Sequence, residues 1–229
     1  MTGVTQASEA SQVETHDVPT GGARATPAVV RRPDGAGPFP ALVYLHGGLQ
    51  DRPVEQLREH ALGEAPSRFL AAGYVVVAPT FASRRHDPLT DAALQDCLAV
   101  VAWVKTLPGV DASSVVVWGD SGGGSLALEL AGETELAAVA AQEPATVLFT
   151  GTFSKENLGG DPPFDEKRGQ AIMAEPRRYY TPELEARTRA KVQKIACPVL
   201  IAHGDVHPIN KITTRSSSRS CAGPGRRWK

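Results

Sequence analysis

The chain has 229 residues, of which 41% are hydrophobic and 21% charged, and its formal net charge is −1 at pH 7. These values are typical of one soluble globular domain with a large core, and a charge so near zero argues against nucleic acid or an anionic membrane as a partner. The three cysteines, Cys97, Cys197 and Cys221, are odd in number and far apart, which argues against a disulfide framework.

The amino-terminal part predicts a loose tail followed by a hairpin. Residues 1–12 are mostly small and polar without apolar periodicity, so we expect a loose tail. They show no basic segment followed by an apolar run, so we expect no signal peptide and, with the unpaired cysteines, a cytoplasmic protein. The stretches THDVPT and ATPAVVRRP, separated by Gly21 and Gly22, predict a hairpin of two edge strands.

Beyond the hairpin, apolar runs alternate with helical patterns. Five runs predict buried strands: PALVYLHGG, YVVVAPTF, SSVVVWG, ELAAVAAQE and CPVLIAHGD. One helix is predicted from EQLREHALGEAPSRFLAAG, ending at Gly73, and another from GGSLALELAG, ending at Gly132. The alternation predicts an α/β fold with a mostly parallel, doubly wound sheet and helices on both of its faces.

The long helical pattern between the second and third strands, TDAALQDCLAVVAWVKTLPG, has a predicted start and a predicted buried face. Thr90 is the expected N-cap. The spacing places four apolar residues on one side of the helix, which we expect to be the buried side. These are Leu94, Leu98, Val101 and Ala102.

The stretch VVVWGDSGGGSLAL, residues 115–128, contains a serine in two overlapping nucleophile patterns. GDSGG is found in trypsin-like proteases, which are all-β proteins with an upstream A-A-H-C histidine motif that this chain lacks. G-x-S-x-G between a strand and a helix is the nucleophile elbow of α/β-hydrolases, and it predicts Ser121 as the nucleophile. Gly119 and Gly123 flank the turn, where larger side chains would clash. The pattern lacks the lysine of a P-loop and the spacing of a dinucleotide fingerprint.

A second motif, YLHGGLQ, follows the first buried strand. In this position we expect a loop that gives one backbone N–H of an oxyanion hole, at Gly48 or Leu49, with the other coming from Gly122. His46 is expected to hold the loop by hydrogen bonds. Asp120 is expected to bond locally without a catalytic role, and Trp118 is expected to pack in the core.

From about Val13 to Asn210 the chain resembles α/β-hydrolases of the dienelactone hydrolase and prolyl oligopeptidase-like group. The resemblance rests on GPFPALVYLHGG, FLAAGYVVVAPTF, WGDSGGG and CPVLIAHGD. It implies a serine hydrolase acting on esters, and sometimes on lactones, thioesters or peptides, with a triad in the chain order serine, acid, histidine. The small-molecule substrate is not specified by these motifs.

The acid and the base of the implied triad are less well defined. Asp205 is the carboxylate that follows VLIAHG, although many relatives carry the acid two residues later, where His207 stands. Glu143, just after the fourth strand, is the alternative acid. The resemblance places the histidine some tens of residues beyond the acid, and His207 is a weak candidate because it lies so close to Asp205. A chain without this base would be catalytically impaired and would act as a binding domain for small ligands or partners.

The carboxyl-terminal stretch TTRSSSRSCAGPGRRWK has five basic residues, no acidic one and almost no aliphatic residue. It cannot supply an apolar strand or a buried helix face. We therefore expect a frame shift or truncation near residue 212, with the last helix, the last strand and the histidine missing. The fifth strand would then be an exposed sheet edge that favours aggregation or a homodimer. The alternative is a genuine basic tail for an acidic partner.

The predicted organisation is a tail at 1–12, a hydrolase domain at 13–211 and an atypical basic tail at 212–229. Within the domain, residues 149–194 are predicted to form a lid-like segment that includes a helix starting at Thr181. Tyr179 and Tyr180 either line a substrate pocket or pack beneath this segment. No metal-ligand spacing occurs in the sequence, and no cofactor is implied.

Overall fold

A computed structural model describes residues 13–20, 25–48, 51–81, 91–160 and 165–204. Its strands form one seven-stranded sheet in the order β1-β2-β4-β3-β5-β6-β7. The strands are β1 (Val13–Pro19), β2 (Ala25–Arg31), β3 (Phe39–Leu45), β4 (Val75–Pro79), β5 (Val110–Asp120), β6 (Ala138–Gln142) and β7 (Val199–Ala202). The helices are α1 (Val54–Ala61), α2 (Glu64–Ala71), α3 (Ala92–Val104), α4 (Gly122–Glu133), α5 (Thr146–Phe149), α6 (Glu166–Ala174), α7 (Pro176–Tyr179) and α8 (Pro182–Lys194).

The predicted α/β fold class is confirmed by the sheet. The strands from β4 through β3, β5 and β6 to β7 pair in parallel. The predicted hairpin is present as the antiparallel pair β1 and β2, but the prediction that both are edge strands is wrong. β2 also pairs with β4, so only β1 lies at that edge. The apolar run of β2 explains this, because Ala28, Val29 and Val30 are completely buried.

The core lies on both faces of the sheet. The larger cluster packs α3 and α4 against one face, through β-strand valines such as Val43, Val77 and Val117. A smaller cluster packs α1 against the other face, through Leu57 and Ala61. Helices cover the central strands on both faces of the sheet. Side chains on both faces of these strands are therefore mostly apolar, as in other parallel sheets.

Two helix predictions need correction. The single helix predicted before Gly73 is two helices, α1 and α2, because the chain turns at Leu62 and Gly63. In α3 the predicted face is rotated, since Leu94 and Leu98 are half-buried and Ala102 is exposed. The buried positions of α3 are Ala93, Asp96, Cys97, Val100, Val101 and Val104. Residues beside the predicted stripe face the sheet, because α3 also packs against α4 and β1.

Helix α8 agrees with its prediction. Pro182 is its first residue, and the Thr181 hydroxyl accepts a hydrogen bond from the Leu184 N–H at 3.3 Å. The predicted N-cap of α3, Thr90, is wrong, because the N-cap is Asp91, whose side chain makes no capping hydrogen bond. Two other predictions fall outside the described residues: the tail at 1–12, and the tail at 212–229 with its missing helix and strand. The domain boundaries remain predictions.

Candidate active site

Ser121 lies at the sharp turn that joins β5 to α4. Its φ of 49° and ψ of −110° are unusual for a residue with a side chain. The Ser121 N–H donates to the Gln142 carbonyl at 2.9 Å, and its carbonyl accepts from the Ala145 N–H at 2.9 Å. The backbone is thus held on both sides while the side chain stays exposed. The geometry presents the hydroxyl at the carboxyl end of the sheet, where parallel α/β sheets bind ligands.

The glycines around Ser121 allow the start of α4 to lie in close contact with the backbone at the ends of β5 and β3. A Cβ atom on Gly119 would lie 2.1 Å from the Gly123 carbonyl oxygen. A Cβ atom on Gly123 would lie 2.5 Å from the carbonyl oxygens of both Leu45 and His46. Real Cβ contacts are not that short, so the start of α4 can pack on β3 and β5 only with glycine at these positions. The predicted small residues therefore stand where the turn is tightest.

The loop after β3 runs beside this turn. Leu45 pairs with Gly119 in the β3–β5 register. A Cβ atom on Gly47 would be 3.7 Å from the Ser121 Cβ. Gly48 follows with a φ of 80° and is exposed, whereas Leu49, the other predicted oxyanion residue of this loop, lies outside the described residues. Gly122 is the first residue of α4, so its N–H has no acceptor within the helix.

The Gly47 carbonyl is held by two side chains. His46 Nδ1 lies 3.0 Å from this oxygen, and Arg52 Nη2 donates to it at 3.2 Å. The same peptide unit carries the Gly48 N–H, which in a trans peptide points away from the carbonyl. Fixing the oxygen therefore fixes the direction of the Gly48 N–H. His46 is 2% exposed, and burial lowers its pKa to about 4, so the ring is neutral near pH 7 and donates from Nδ1. The placement agrees with the predicted structural role of His46.

Asp120 hydrogen-bonds one residue nearby in sequence and one far from it, so the prediction of local bonding is only partly correct. Its carboxylate accepts a short hydrogen bond from the Tyr44 hydroxyl and a 3.3 Å bond from Trp118 Nε1. Burial, with a further contribution from Asp120, raises the pKa of Tyr44. This group ties the end of β3 to the end of β5. The predicted core position of Trp118 is partly correct, since the ring is half-buried and packs edge-on against Phe69 at 5.6 Å.

Of the two candidate acids, only Glu143 is among the described residues. It directly follows β6, is half-buried and has a φ of 43°. Its carboxylate accepts from the Gly204 N–H at 3.3 Å. Asp205 is the next residue in the chain and lies outside the described residues. The assignment of the acid to Asp205 rather than Glu143 remains a prediction.

Four of the six histidines are described, and none of these four hydrogen-bonds the Ser121 hydroxyl. His16 lies on β1 beside Trp103, with 5.3 Å between the ring centroids. His203 is exposed at the end of β7, with Nδ1 3.3 Å from the Gly204 carbonyl oxygen. His60 lies in α1, 6.0 Å from His46 between ring centroids, and burial lowers its pKa. His86 and His207 lie outside the described residues.

Of the residues 149–194 predicted as lid-like, the described parts 149–160 and 165–194 form helices and turns between β6 and β7. Tyr179 and Tyr180 are half-buried, and the Tyr180 hydroxyl is buried without a hydrogen-bond partner in the described part of the chain. No group of three or more His, Cys, Asp or Glu residues within the described ranges could hold a metal ion. None of the described helices combines the length and the apolar character needed to cross a membrane.

Residues 29–152 of the chain match the model of a known protein family, BD-FAE. The matched stretch begins within β2, ends just after α5 and includes the HGG loop and Ser121. The chain belongs to the BD-FAE family. A search of curated proteins found no match. The finer resemblance to the dienelactone hydrolase and prolyl oligopeptidase-like group remains a prediction.

Solved esterases share the fold of this BD-FAE chain. Esterase Est22 is 20% identical with a TM-score of 0.60, over 91% of this chain and 69% of that one. A Pyrobaculum calidifontis esterase is 24% identical with a TM-score of 0.59, over 92% and 71%. Brefeldin A esterase, a bacterial homologue of human hormone-sensitive lipase, is 25% identical with a TM-score of 0.56, over 91% and 64%. The chain therefore has the α/β-hydrolase fold and spans about two thirds of the length of these esterases.

Three interactions of the site escaped the sequence analysis. The Arg52 bond to Gly47 and the Tyr44 bond to Asp120 carried no motif. The bond from Gly204 to Glu143 joins residues 61 positions apart. For Arg52 a signal was available, since a cation four residues after a glycine loop can reach back to a carbonyl of that loop.

Proposed function

We propose that this BD-FAE chain is a serine hydrolase that cleaves carboxylic esters of small molecules through an acyl-enzyme on Ser121. The observation that carries the proposal is the exposed Ser121 side chain on a strained turn that glycines alone permit. Membership of the family and the fold shared with solved esterases support ester cleavage. Lactones, thioesters and peptides are other acyl substrates that the same chemistry would accept.

In the proposed reaction the Ser121 oxygen attacks the ester carbonyl carbon, and its proton passes to a base. The negative charge on the former carbonyl oxygen is stabilised by N–H groups of Gly122 and of the loop at Gly48 and Leu49. The alcohol leaves with a proton from the base, and water then releases the acid from Ser121 by the reverse sequence. Asp205 orients the base in this proposal, and His207 is the candidate for that base, although it lies only two residues beyond Asp205.

The second candidate is a catalytically impaired binding domain for small ligands or partners. One observation favours it: none of the four histidines within the described ranges hydrogen-bonds the Ser121 hydroxyl. A serine without a base is a weak nucleophile near neutral pH, and removal of a triad member leaves only the residual rate of the oxyanion hole and of binding. A cytoplasmic location is a separate proposal, and it rests on the free thiols of Cys97 and Cys197.

Labelling by a fluorophosphonate probe, read by intact mass, separates the two candidates. An active site predicts one adduct on the full chain that disappears in Ser121→Ala. The matched control is Ser113→Ala, which removes an exposed serine hydroxyl that bonds to Asp111 at 2.7 Å. We expect this control to label at the rate of the unmodified chain. A folded chain that stays unlabelled would contradict the hydrolase proposal and favour the binding domain.

A further inference from the structure

Glu143 has a positive φ, which it shares with one other non-glycine residue of the described chain. Only Ser121 and Glu143 combine a side chain with a φ in the left-handed region, at 49° and 43° in the described ranges. Such residues cost free energy and persist where the surrounding structure holds them, often at functional sites. The two are linked, because the Ser121 N–H donates to the carbonyl of Gln142, the residue before Glu143.

Both the backbone and the side chain of Glu143 bind the end of the neighbouring strand. The last pair of the β6–β7 ladder is Gln142 with Ala202. Beyond it the Glu143 N–H donates to the Ala202 carbonyl at 2.7 Å, and the Gly204 N–H donates to Glu143 Oε1 at 3.3 Å. An α-region or extended backbone at position 143 would turn the side chain elsewhere. The left-handed φ therefore brings the carboxylate to the exit from β7.

From these contacts we infer that Glu143 is a positioning residue, which fixes the exit from β7 at Gly204 relative to the Ser121 turn. This inference rests on the proposed function, since the residue after Gly204 is Asp205, the proposed acid. In this role Glu143 acts as a hydrogen-bond acceptor, and its negative charge is not required. That separates the inference from the rival assignment of Glu143 as the triad acid, which needs the charge.

Three substitutions of Glu143 separate the effects of its hydrogen-bond acceptor, its unfavourable φ and its negative charge. Glu143→Gln keeps an acceptor oxygen and removes the charge. Glu143→Ala removes the acceptor and keeps the unfavourable φ, whereas Glu143→Gly removes the acceptor and relieves it. The matched control is Glu185→Ala, which removes the partner of Arg189 on the surface of α8.

The first measurement is the rate of fluorophosphonate labelling of the full chain. We expect Glu143→Gln and the control to label within twofold of the unmodified chain. Glu143→Ala and Glu143→Gly should label about tenfold more slowly or worse, because small displacements of catalytic groups carry large rate penalties. Glu143→Gly should unfold at a higher urea concentration than Glu143→Ala although both are slow, which a purely structural role does not explain.

The second measurement is hydrogen exchange at the Gly204 amide, which does not depend on reactivity. Protection should fall in Glu143→Ala and Glu143→Gly and persist in Glu143→Gln. If the unmodified chain is not labelled, the proposed function fails, but the exchange measurement still tests the contact. The expected pattern of protection would then support the positioning role, and unchanged protection in Glu143→Ala would overturn it. A labelled chain in which Glu143→Ala reacts at the unmodified rate overturns the inference. So does a Glu143→Gln variant as slow as Glu143→Ala, which would make Glu143 the acid.

Discussion

At the scale of single residues, the site depends on two glycines, Gly119 and Gly123, at positions where a Cβ atom would clash with backbone. Gly123 packs under the end of β3, where a Cβ atom would lie 2.5 Å from two backbone oxygens. Backbone cannot move aside as the tip of a flexible side chain can, so a methyl group here must displace α4 from β3. Gly119 faces the same limit against Gly123. These glycines are required by contact, in addition to the sharpness of the turn.

We expect Gly123→Ala to lower the free energy of unfolding by roughly 3 kcal/mol or more, the upper range for an overpacked position. Urea denaturation of the purified variants measures this. The matched control is Gly169→Ala in α6, where the new Cβ would be 3.6 Å from its nearest neighbour. The control should be neutral or raise stability by about 0.5 kcal/mol, because alanine is favoured over glycine within a helix. Equal stability of the two variants would contradict the packing argument.

At the scale of elements, α8 is attached to α4 by an ion pair that is partly sheltered from water. Lys191 forms a short ion pair with Glu129 and donates to the Phe149 carbonyl at 3.1 Å. Burial raises the pKa of Glu129, an effect that the Lys191 contact opposes. One turn on, Lys194 pairs with Glu133 in a more exposed position. Both are lysine–glutamate ion pairs between α8 and α4, and they differ in their exposure to water.

We expect Lys191→Met to lower the free energy of unfolding by about 1–3 kcal/mol, because Glu129 loses its partner where it is largely shielded from water. Lys194→Met, the matched control, should cost about 0.5 kcal/mol or less, as exposed ion pairs usually do. Denaturation of both variants in low salt checks this. An equal loss in the two variants would mean that burial of Glu129 adds nothing to the attachment of α8.

The elements and the nucleophile turn could be predicted from the sequence because their signals are local. Continuous apolar runs identified the strands, and Gly119 to Gly123 identified the turn. The break at Gly63 was missed because the apolar pattern continues across it. The face of α3 depends on packing against α4 and β1, which periodicity does not contain. The Tyr44–Asp120 and Glu143–Gly204 contacts join residues 76 and 61 positions apart, and only the strand order brings them together.

At the scale of the whole molecule, β7 is an edge within the described residues. It pairs with β6 on one side, and no other described strand pairs with its other side. Leu200 is 62% exposed and Ile201 is 38% exposed, which is unusual for apolar residues of a parallel sheet. An apolar edge with unpaired backbone groups favours addition of another strand. This is the surface through which a second copy of the chain is expected to bind.

We expect the purified chain to form dimers or larger species through β7, and Leu200→Lys to shift it toward monomer, because a charge on an edge strand opposes pairing. Sedimentation velocity over a range of concentrations measures the change. The matched control is Leu62→Lys, since Leu62 is 47% exposed between α1 and α2 and does not belong to β7. It should leave self-association unaltered. A high-melting monomer before any substitution would contradict the prediction, and a similar shift in both variants would attribute association to general surface hydrophobicity instead of the β7 edge.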